Sequence, residues 1–256
     1  MIIRCLAGAL FVIETHQLTK EFHDRKRGKV RAVVGINFRC EPGRIYGLLG
    51  ANGAGKTTTL RLLATLLKPS LGTAYVAGCD VIREPEKVRA RIGFLPTGTA
   101  LYGRLTARET VEYFGRLHGV GEDWLPGRIH ELFSALGMTE FEDRRCDKLS
   151  DGMKQKVSIA RTLVHDPPVM IFDEPTLGLD VMTARTIVQF IRDCRQKGKT
   201  VIVSTHVMSE AEKLCDRIGI IDRGRLIVDG TLAELRTQYG ASELEDIFVR
   251  AVEGCL

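Results

Sequence analysis

Residues 50–57 read Gly-Ala-Asn-Gly-Ala-Gly-Lys-Thr, which matches the phosphate-binding pattern G-x-x-x-x-G-K-[S/T]. A strand-like run over 44–49 precedes this segment, and a predicted helix over 55–67 follows it. Glycines let backbone N–H groups turn inward onto phosphate oxygens, and the positive end of the following helix points at the same anion. Lys56 adds a cation for the terminal phosphates, and the Thr57 hydroxyl can bind Mg²⁺. We therefore interpret the segment as a nucleotide-binding loop rather than as an ordinary glycine-rich turn.

The composition is that of a globular protein with a sizeable core. The chain has 256 residues, of which 44% are hydrophobic and 27% charged, which suits one large domain or one core with an inserted subdomain. The net charge of +5 is compatible with an anionic ligand or a membrane surface but identifies neither. The densest basic run, Arg25-Lys26-Arg27-Gly28-Lys29, is interpreted as a solvated loop rather than a nucleic-acid patch.

Cysteine spacing and hydropathy bear on the compartment. The seven cysteines include no C-x-x-C pair, which argues against a zinc site and a disulfide framework and fits reduced thiols in the cytosol. No apolar run reaches the roughly 20 residues needed to cross a bilayer. The run over 5–13 is faintly similar to a signal peptide but lacks a clear cleavage site, and Val12 is an alternative start of translation.

Strand-like and helix-like runs alternate along most of the chain. Apolar runs at 44–49, 169–172 and 200–204 are predicted strands, and 181–197 is a predicted helix with one apolar face. Two runs, 217–221 and 225–228, flank a turn and predict a hairpin. Residues 99–148 instead carry helical patterns, over 106–117 and 124–136.

These patterns predict an α/β fold: a P-loop NTPase core with a mainly parallel sheet, an antiparallel β portion and an inserted α-helical subdomain. We divide the predicted domain, residues 14–250, into a core over 14–97 and 149–240 and a helical subdomain over about 98–148. Residues 1–13 are expected to be a short N-terminal extension, and residues 241–256 a C-terminal tail.

A predicted buried strand ends in two carboxylates, which could bind Mg²⁺ and activate a water for nucleotide hydrolysis. In the segment Val169-Met170-Ile171-Phe172-Asp173-Glu174, we assign Asp173 to Mg²⁺ and Glu174 to orienting or deprotonating the attacking water. A helix cap or a surface ion pair is the alternative for such a pair. Because the pair follows a phosphate-binding loop, the catalytic interpretation is favoured.

Two further segments carry groups suited to phosphate. Ser150 and Gly152 lie in the segment 149–156, where a turn that opens a helix offers a hydroxyl, N–H groups and a dipole to an anion; an ordinary N-cap is the alternative. His206 lies two residues after the predicted strand over 200–204, in the segment Ser204-Thr205-His206. A histidine there can hydrogen-bond the terminal phosphate and a water, whereas a lone histidine is more often structural.

In this order, the segments resemble the ATP-binding subunits of ABC transporters over about residues 14–250. The resemblance implies a Walker A loop at 50–58, a Walker B strand at 169–174, the family signature at 149–153, a D-loop at 177–180 and an H-loop at 204–206. It also implies ATP and Mg²⁺ as cofactors. The implied dimer holds two ATP molecules between the Walker A loop of one subunit and the signature of the other.

The resemblance assigns roles residue by residue. Lys56, Glu174 and His206 are the implied catalytic residues, and Phe22 occupies the place of an aromatic ring that stacks on adenine. The implied ATP contacts are Phe22, Gly50, Ala51, Asn52, Gly53, Ala54, Gly55, Lys56, Thr57 and Thr58. The signature residues expected at the partner subunit's ATP are Ser150, Asp151, Gly152 and Met153. The D-loop residue is Asp180, and the expected metal site consists of Thr57, Asp173 and Thr97.

The chain departs from the family pattern at two places. The signature reads Leu-Ser-Asp-Gly-Met where the family usually has Leu-Ser-Gly-Gly-Gln, so Asp151 adds a negative charge near the ATP. Thr97 stands where a glutamine amide is expected to reach the metal site. We expect its shorter hydroxyl to act through a water.

Resemblance in the segments 101–106, 153–156 and 180–185 is strongest to subunits of sodium-extruding exporters. It implies an ATPase at the cytoplasmic face of the cell membrane, paired with a multi-span permease and with a like or unlike ATPase subunit. A soluble ABC ATPase that acts on nucleic acid or the ribosome is an alternative. The single P-loop and the lack of a heptad run disfavour it, so no nucleic-acid partner is expected. A catalytically weak regulatory module is a further alternative, which Glu174 and His206 argue against.

Overall fold

The computed structural model describes residues 11–24, 28–98 and 100–254. Most of the apolar run over 5–13, the basic residues at 25–27, Thr99 and the cysteines at 5 and 255 lie outside the described residues. The described cysteines are free thiols, most of them buried. Within the described ranges, no helix combines the length and apolar character needed to cross a membrane.

The central element is a six-stranded sheet, and five of its strands are the predicted apolar runs; β7, which was not predicted, is the sixth. The strands are β4 (Ile45–Leu49), β7 (Ile92–Leu95), β8 (Val169–Asp173), β9 (Thr200–Thr205), β10 (Arg217–Asp222) and β11 (Arg225–Gly230). Their order across the sheet is β11-β10-β4-β9-β8-β7. All neighbours pair in parallel except β10 and β11, which form the predicted hairpin. The expectation of a mainly parallel sheet is confirmed.

A second, antiparallel sheet packs against one face of the first. It is formed by β1 (Ile13–Asp24), β2 (Gly28–Ile36), β3 (Arg39–Cys40), β5 (Leu71–Val76) and β6 (Cys79–Asp80). The order is β2-β1-β5-β6, with β3 pairing β1. Strand β1 begins at Ile13, and Val12 and Ile13 are buried, so this part of the expected N-terminal extension belongs to the folded core.

Helices cover the sheets and form the insertion. They are α1 (Lys56–Leu63), α2 (Pro85–Arg91), α3 (Ala107–Leu117), α4 (Leu125–Leu136), α5 (Asp151–Leu163), α6 (Val181–Gln196), α7 (Met208–Leu214), α8 (Leu232–Tyr239) and α9 (Leu244–Glu253). The predicted helix start at Thr106 is a capping box, in which Thr106 and Glu109 satisfy each other's backbone N–H groups. Helix α1 ends at Leu63, short of the predicted end at 67, because Thr65 adopts a left-handed φ of 60°.

Side chains of the central strands alternate between two apolar layers. Ile171 and Ile202 face a cluster shared with the antiparallel sheet, whereas Phe172 and Val203 face one shared with α3 to α6. Burial on both faces explains why these strands are continuously apolar in sequence. The arrangement fixes the carboxyl ends of β4, β8 and β9 side by side.

The C-terminal residues differ from the expected tail. Residues 244–253 form helix α9, whose Leu244, Ile247 and Ala251 are buried in a cluster with Ile218 and Val228 of the hairpin. These helix residues recur at the i, i+3, i+7 spacing of an amphipathic helix, so the sequence did carry the signal. The folded unit therefore continues to the end of α9.

Candidate functional site

The predicted site segments meet at the carboxyl edge of the parallel sheet. Strands β4, β9 and β8 are neighbours, with Leu49 beside Thr205 and Asp173 beside Ser204. The loops that follow these strands surround a cavity of about 440 Å³. Its lining residues are Ala32, Ala51, Asn52, Gly53, Gly55, Lys56, Thr57, Thr58, Arg61, Thr97, Glu174, Leu177 and His206.

The loop over 50–57 needs glycine where it passes other backbone. A Cβ at Gly50 would lie 2.4 Å from the Ile221 carbonyl oxygen, and one at Gly55 would lie 2.5 Å from the Ala32 carbonyl oxygen. Gly55 also has φ 114°, which residues with a side chain rarely adopt, and it directly precedes α1. These constraints hold the loop around the cavity.

Lys56 lies at the bottom of the loop and is only 5% exposed. Its Nζ donates to the carbonyl oxygens of Gly50 at 2.7 Å and Ala51 at 3.3 Å. The same ammonium lies 3.3 Å from Glu174 Oε1. A buried cation is thereby held by loop carbonyls and one carboxylate, next to the space where an anion would lie.

Asp173, the last residue of β8, is 1% exposed and only partly satisfied. Its Oδ1 accepts from Ser204 Oγ at 2.6 Å and from Thr57 Oγ1 at 3.1 Å. Its Oδ2 is buried and has no hydrogen-bond partner among the described residues. A carboxylate oxygen without a partner, close to a hydroxyl, fits the hard oxygen ligands that Mg²⁺ prefers. Within the described ranges, no group of three or more His, Cys, Asp or Glu side chains is arranged so that it could hold a metal ion.

The Glu174 carboxylate contacts both Lys56 of the 50–57 loop and His206. Its Oε2 lies 2.9 Å from His206 Nδ1, and its Oε1 is the atom that contacts Lys56. The backbone of Glu174 has φ 52°, a left-handed conformation that is strained for a residue with a side chain. Its N–H donates to both the carbonyl oxygen and the hydroxyl of Ser204, at 3.2 and 3.0 Å. The structure thus brings Lys56, Asp173, Glu174 and His206 together.

Thr97 lies in the loop that follows β7 and also lines the cavity. Its Oγ1 donates to the backbone carbonyl oxygen of Asp173 at 3.0 Å. Thr97 therefore lies next to Asp173, the carboxylate residue that ends β8. The contact itself is with the backbone, which the expected metal role did not include.

Several predicted residues do not line this cavity. Phe22 lies on β1, 39% exposed, with Lys20 Nζ 5.2 Å from its ring centre. Ser150 is the N-cap of α5 and accepts from the Met153 N–H at 3.3 Å. Asp180 is the N-cap of α6. Its carboxylate accepts hydrogen bonds from backbone N–H groups of the first turn, and these hold the pKa of the carboxyl below its usual range. Ala54 is buried within the loop, and Asp151, Gly152 and Met153 open α5.

Two functional contacts were missed by sequence reasoning. Ser204 orders both Asp173 and Glu174, and a hydroxyl at the end of a strand adjacent to β8 was a signal that could have revealed it. Gln155 Nε2 on α5 donates to the Pro175 carbonyl oxygen at 2.8 Å. Nothing local in the sequence indicates that second contact, because it joins a helix to a loop of another element.

Comparison with known proteins identifies the family. The family model described as ABC transporter matches residues 33–177, more than half of the chain. The ABC transporter ATP-binding protein NatA of Bacillus subtilis (strain 168) is 42% identical over 232 residues, covering 90% of this chain and 94% of NatA. The daunorubicin/doxorubicin resistance ATP-binding protein DrrA of Streptomyces peucetius is 39% identical, covering 91% of this chain and 69% of DrrA.

A solved structure shares the fold as well as the sequence pattern. The dimeric, post-hydrolysis state of the ATP-binding cassette MJ0796 bound to ADP and Pi has a TM-score of 0.79 and 28% identity, over 86% of this chain and 98% of that one. The predicted P-loop α/β fold is thereby confirmed. Since the matched family model contains the phosphate-binding loop and the strand that ends in Asp173, this chain belongs to the ABC transporter ATP-binding family and is an ATPase.

Proposed function

We propose that this ATPase binds ATP with Mg²⁺ in the cavity at the sheet edge and hydrolyses it to drive export across a membrane. The observation that carries the proposal is the bridging carboxylate of Glu174, which contacts Lys56 Nζ at 3.3 Å and His206 Nδ1 at 2.9 Å. One cavity thereby contains a base, a cation and a histidine. Phosphoryl transfer to water depends on such a set, because its catalysis consists of positioning and charge stabilisation.

Lys56 and the loop amides are the proposed phosphate ligands. We expect the Lys56 ammonium to exchange its contacts with Gly50, Ala51 and Glu174 for charge-assisted contacts with phosphate oxygens. The N–H groups of residues 50–58 and the positive end of α1 add to this attraction. Phe22 remains the proposed adenine-stacking residue; it lies on β1, paired with β2, the strand that contributes Ala32 to the cavity.

Thr57 and Asp173 are the proposed protein ligands of Mg²⁺. The Thr57 hydroxyl already lies 3.1 Å from Asp173 Oδ1, and Asp173 Oδ2 lacks a partner. Mg²⁺ at this position would neutralise charge on the phosphate oxygens. Asp173 would hold the ion directly or through water, with Ser204 keeping the carboxylate in its orientation.

Glu174 is the proposed general base. Exchange of Lys56 from the carboxylate to the phosphates leaves Oε1 free to accept a proton from the attacking water. His206, hydrogen-bonded to the other oxygen, orients the carboxylate and can donate to the terminal phosphate. We expect loss of His206 to slow hydrolysis more than it weakens nucleotide binding.

A second ATPase subunit is proposed to complete the site. Asp151, at the start of α5, has a side chain that is 92% exposed, so the signature is open to another molecule. Val181, next to the Asp180 cap, is 82% exposed, and Leu177 and Met182 nearby are also exposed. Apolar residues exposed beside a catalytic cavity fit a surface that a dimer covers. The MJ0796 cassette is a dimer in its ADP- and Pi-bound structure, which supports the same arrangement here. Both a homodimer and a heterodimer fit.

The proposed membrane partner is a multi-span permease, with this chain on the cytoplasmic face. Sodium is the proposed cargo, on the resemblance of 101–106, 153–156 and 180–185 to sodium-extruding exporters. A drug cargo is the competing possibility, because DrrA is named for resistance to daunorubicin and doxorubicin.

The test is transport in inside-out vesicles that contain this chain and a multi-span membrane protein that co-purifies with it. We expect ATP-dependent uptake of radioactive sodium, abolished by Lys56→Ala in the same vesicles. Daunorubicin uptake without sodium uptake would contradict the sodium proposal and leave the exporter role intact. No ATP-dependent transport of either, with ATP hydrolysis unaffected by the vesicle-embedded partner, would contradict the exporter role.

A further inference from the structure

The peptide bond between Asp173 and Glu174 is held at both ends. Its carbonyl oxygen accepts from Thr97 Oγ1 at 3.0 Å. Its N–H donates to Ser204, to the carbonyl oxygen at 3.2 Å and to the hydroxyl at 3.0 Å. Because a peptide group is planar, hydrogen bonds at both ends fix the direction in which the chain enters Glu174.

This restraint matters because of the conformation that follows it. Glu174 has φ 52°, which residues with a Cβ adopt only where the surroundings enforce it. A relaxed backbone here would turn the Glu174 carboxylate away from Lys56 and His206. The hydrogen bonds to the preceding peptide therefore act on the position of the proposed base.

The two donors come from different parts of the fold. Ser204 ends β9 in the core, whereas Thr97 lies in the loop that leads from β7 towards the helical subdomain. At its other end this loop is tied to α5, because Arg161 donates to the Ala100 carbonyl oxygen at 3.2 Å. Helix α5 begins with the signature residues after its Ser150 cap. Its Gln155 donates to the Pro175 carbonyl oxygen, on the far side of Glu174.

We propose that Thr97 is a positioning residue for Glu174: its hydroxyl holds the Asp173 carbonyl and so links the orientation of the base to the loop between the core and α5. The side chain at this position acts on the backbone and not on the metal. A threonine is suited to this contact because its short hydroxyl reaches the carbonyl at 3.0 Å. The inference rests on the proposed role of Glu174 as the base.

The experiment compares Thr97→Val, which keeps the shape and removes the hydroxyl, with Thr97→Ser, which keeps the hydroxyl. Thr97 is exposed, so neither change disturbs the core. In steady-state hydrolysis by the full chain, we expect Thr97→Val to lower kcat roughly tenfold, about the factor that one lost hydrogen bond represents. The KM for ATP and the half-saturating Mg²⁺ concentration should stay within about twofold of wild type. Thr97→Ser should recover most of the lost rate.

The matched control is Thr237→Val on α8. The Thr237 hydroxyl also donates to a backbone carbonyl, that of Ala233, at 3.0 Å, but on an exposed helix away from the cavity. Its kcat should equal that of wild type. If Thr97→Val proves poorly folded by circular dichroism, Thr97→Ala provides the same comparison with Thr97→Ser.

Three results would overturn the inference. These are an unchanged kcat in Thr97→Val, an equally slow Thr97→Ser, and a raised Mg²⁺ requirement, which would identify Thr97 as a metal contact. Glu174→Gln is measured in parallel to separate the two proposals. Rapid turnover by Glu174→Gln would contradict the proposed base itself, whereas an inactive Glu174→Gln beside an unaffected Thr97→Val would contradict only the role of Thr97.

Discussion

At the scale of single residues, the contacts of Lys56 are the most important for phosphate binding at the site. The ammonium is almost completely buried and contacts Gly50, Ala51 and Glu174. A buried cation needs partners of opposite charge, so it provides a strong driving force for phosphate oxygens to bind beside it. If Lys56 exchanges its contact with Glu174 for contacts with phosphate oxygens, the Glu174 carboxylate is released. Phosphate binding by Lys56 and the availability of Glu174 are therefore coupled.

We expect Lys56→Ala to lose ATP affinity, by about tenfold to a hundredfold, because a charge-assisted contact is removed from a desolvated site. The measurement is titration with a fluorescent ATP analogue. Lys154→Ala, which removes a half-exposed lysine from the opening of α5, is the matched control and should bind the analogue as wild type does. Equal affinity in Lys56→Ala would show that the loop over 50–57 is not the phosphate site.

Residues of the site differ in how far the sequence could predict them. Lys56, Asp173 and Glu174 belong to short sequence motifs, so residues adjacent in the chain were enough to predict them. The structure brings the three side chains together. The contacts of Ser204 with Asp173 and of Thr97 with the Asp173 carbonyl oxygen join separate strands. Such contacts depend on sheet order and register, which no local pattern encodes.

At the scale of elements, the start of α5 combines two opposing electrostatic effects. Asp151 in the first turn favours the helix through its dipole, and it pairs with Lys154 at 3.4 Å. The same carboxylate would repel a polyphosphate that approached the signature. Since the Asp151 side chain is almost fully exposed, solvent and salt screen both effects.

We expect Asp151→Asn to strengthen the ATP-bound dimer by a few fold at low salt, because it removes the charge and keeps the size of the side chain, while Ser150 remains the N-cap. The gain should shrink as ionic strength rises. Sedimentation velocity in the Glu174→Gln background measures the dimer without hydrolysis. An identical ATP dependence of dimerisation at low salt would show that Asp151 points away from the nucleotide.

Two stacked histidines join the helical subdomain to the core. His118 caps α3, and its ring lies 3.8 Å from that of His165, which follows α5. His165 Nε2 lies 3.1 Å from the Ile92 carbonyl oxygen, so it must carry the proton. Burial, and then the neighbouring His118, lower the pKa of His165 to about 4. Burial also lowers the pKa of His118.

A histidine with a lowered pKa destabilises the fold in acid. Between pH 6.5 and about 4 the unfolded chain binds more protons than the folded chain, so stability should fall as pH falls through this range. The slope is at most about 1.4 kcal/mol per pH unit for one proton. We expect His165→Gln, which keeps a donor for the Ile92 carbonyl, to show a shallower decline. The measurement is urea denaturation at a series of pH values; an unchanged slope would contradict the assignment to His165.

At the scale of the whole molecule, most of the parallel sheet and the helical insertion were predictable, because the central strands are continuous apolar runs and the helices are amphipathic. Strand β7 was not predicted. The antiparallel sheet was predicted only as an antiparallel portion, without the bounds of any of its strands. Two of these strands, β3 and β6, are two residues long and exist through their pairing with longer ones. The C-terminal helix α9 was missed although it is amphipathic, because its burial depends on the β10–β11 hairpin. Local sequence patterns predict individual helices and strands, whereas the elements against which these pack depend on the tertiary structure.

Glu174→Gln tests most directly whether Glu174 activates the water that attacks ATP in the cavity at the sheet edge. The amide keeps the shape of the side chain and cannot accept the proton, so turnover should fall by at least about a hundredfold. Nucleotide extracted from the purified variant should be intact ATP, bound to a dimer in sedimentation velocity. Wild type should hydrolyse the bound ATP and return to the monomer once ADP has been released. Hydrolysis by Glu174→Gln within a few fold of the wild-type rate would contradict this role of Glu174.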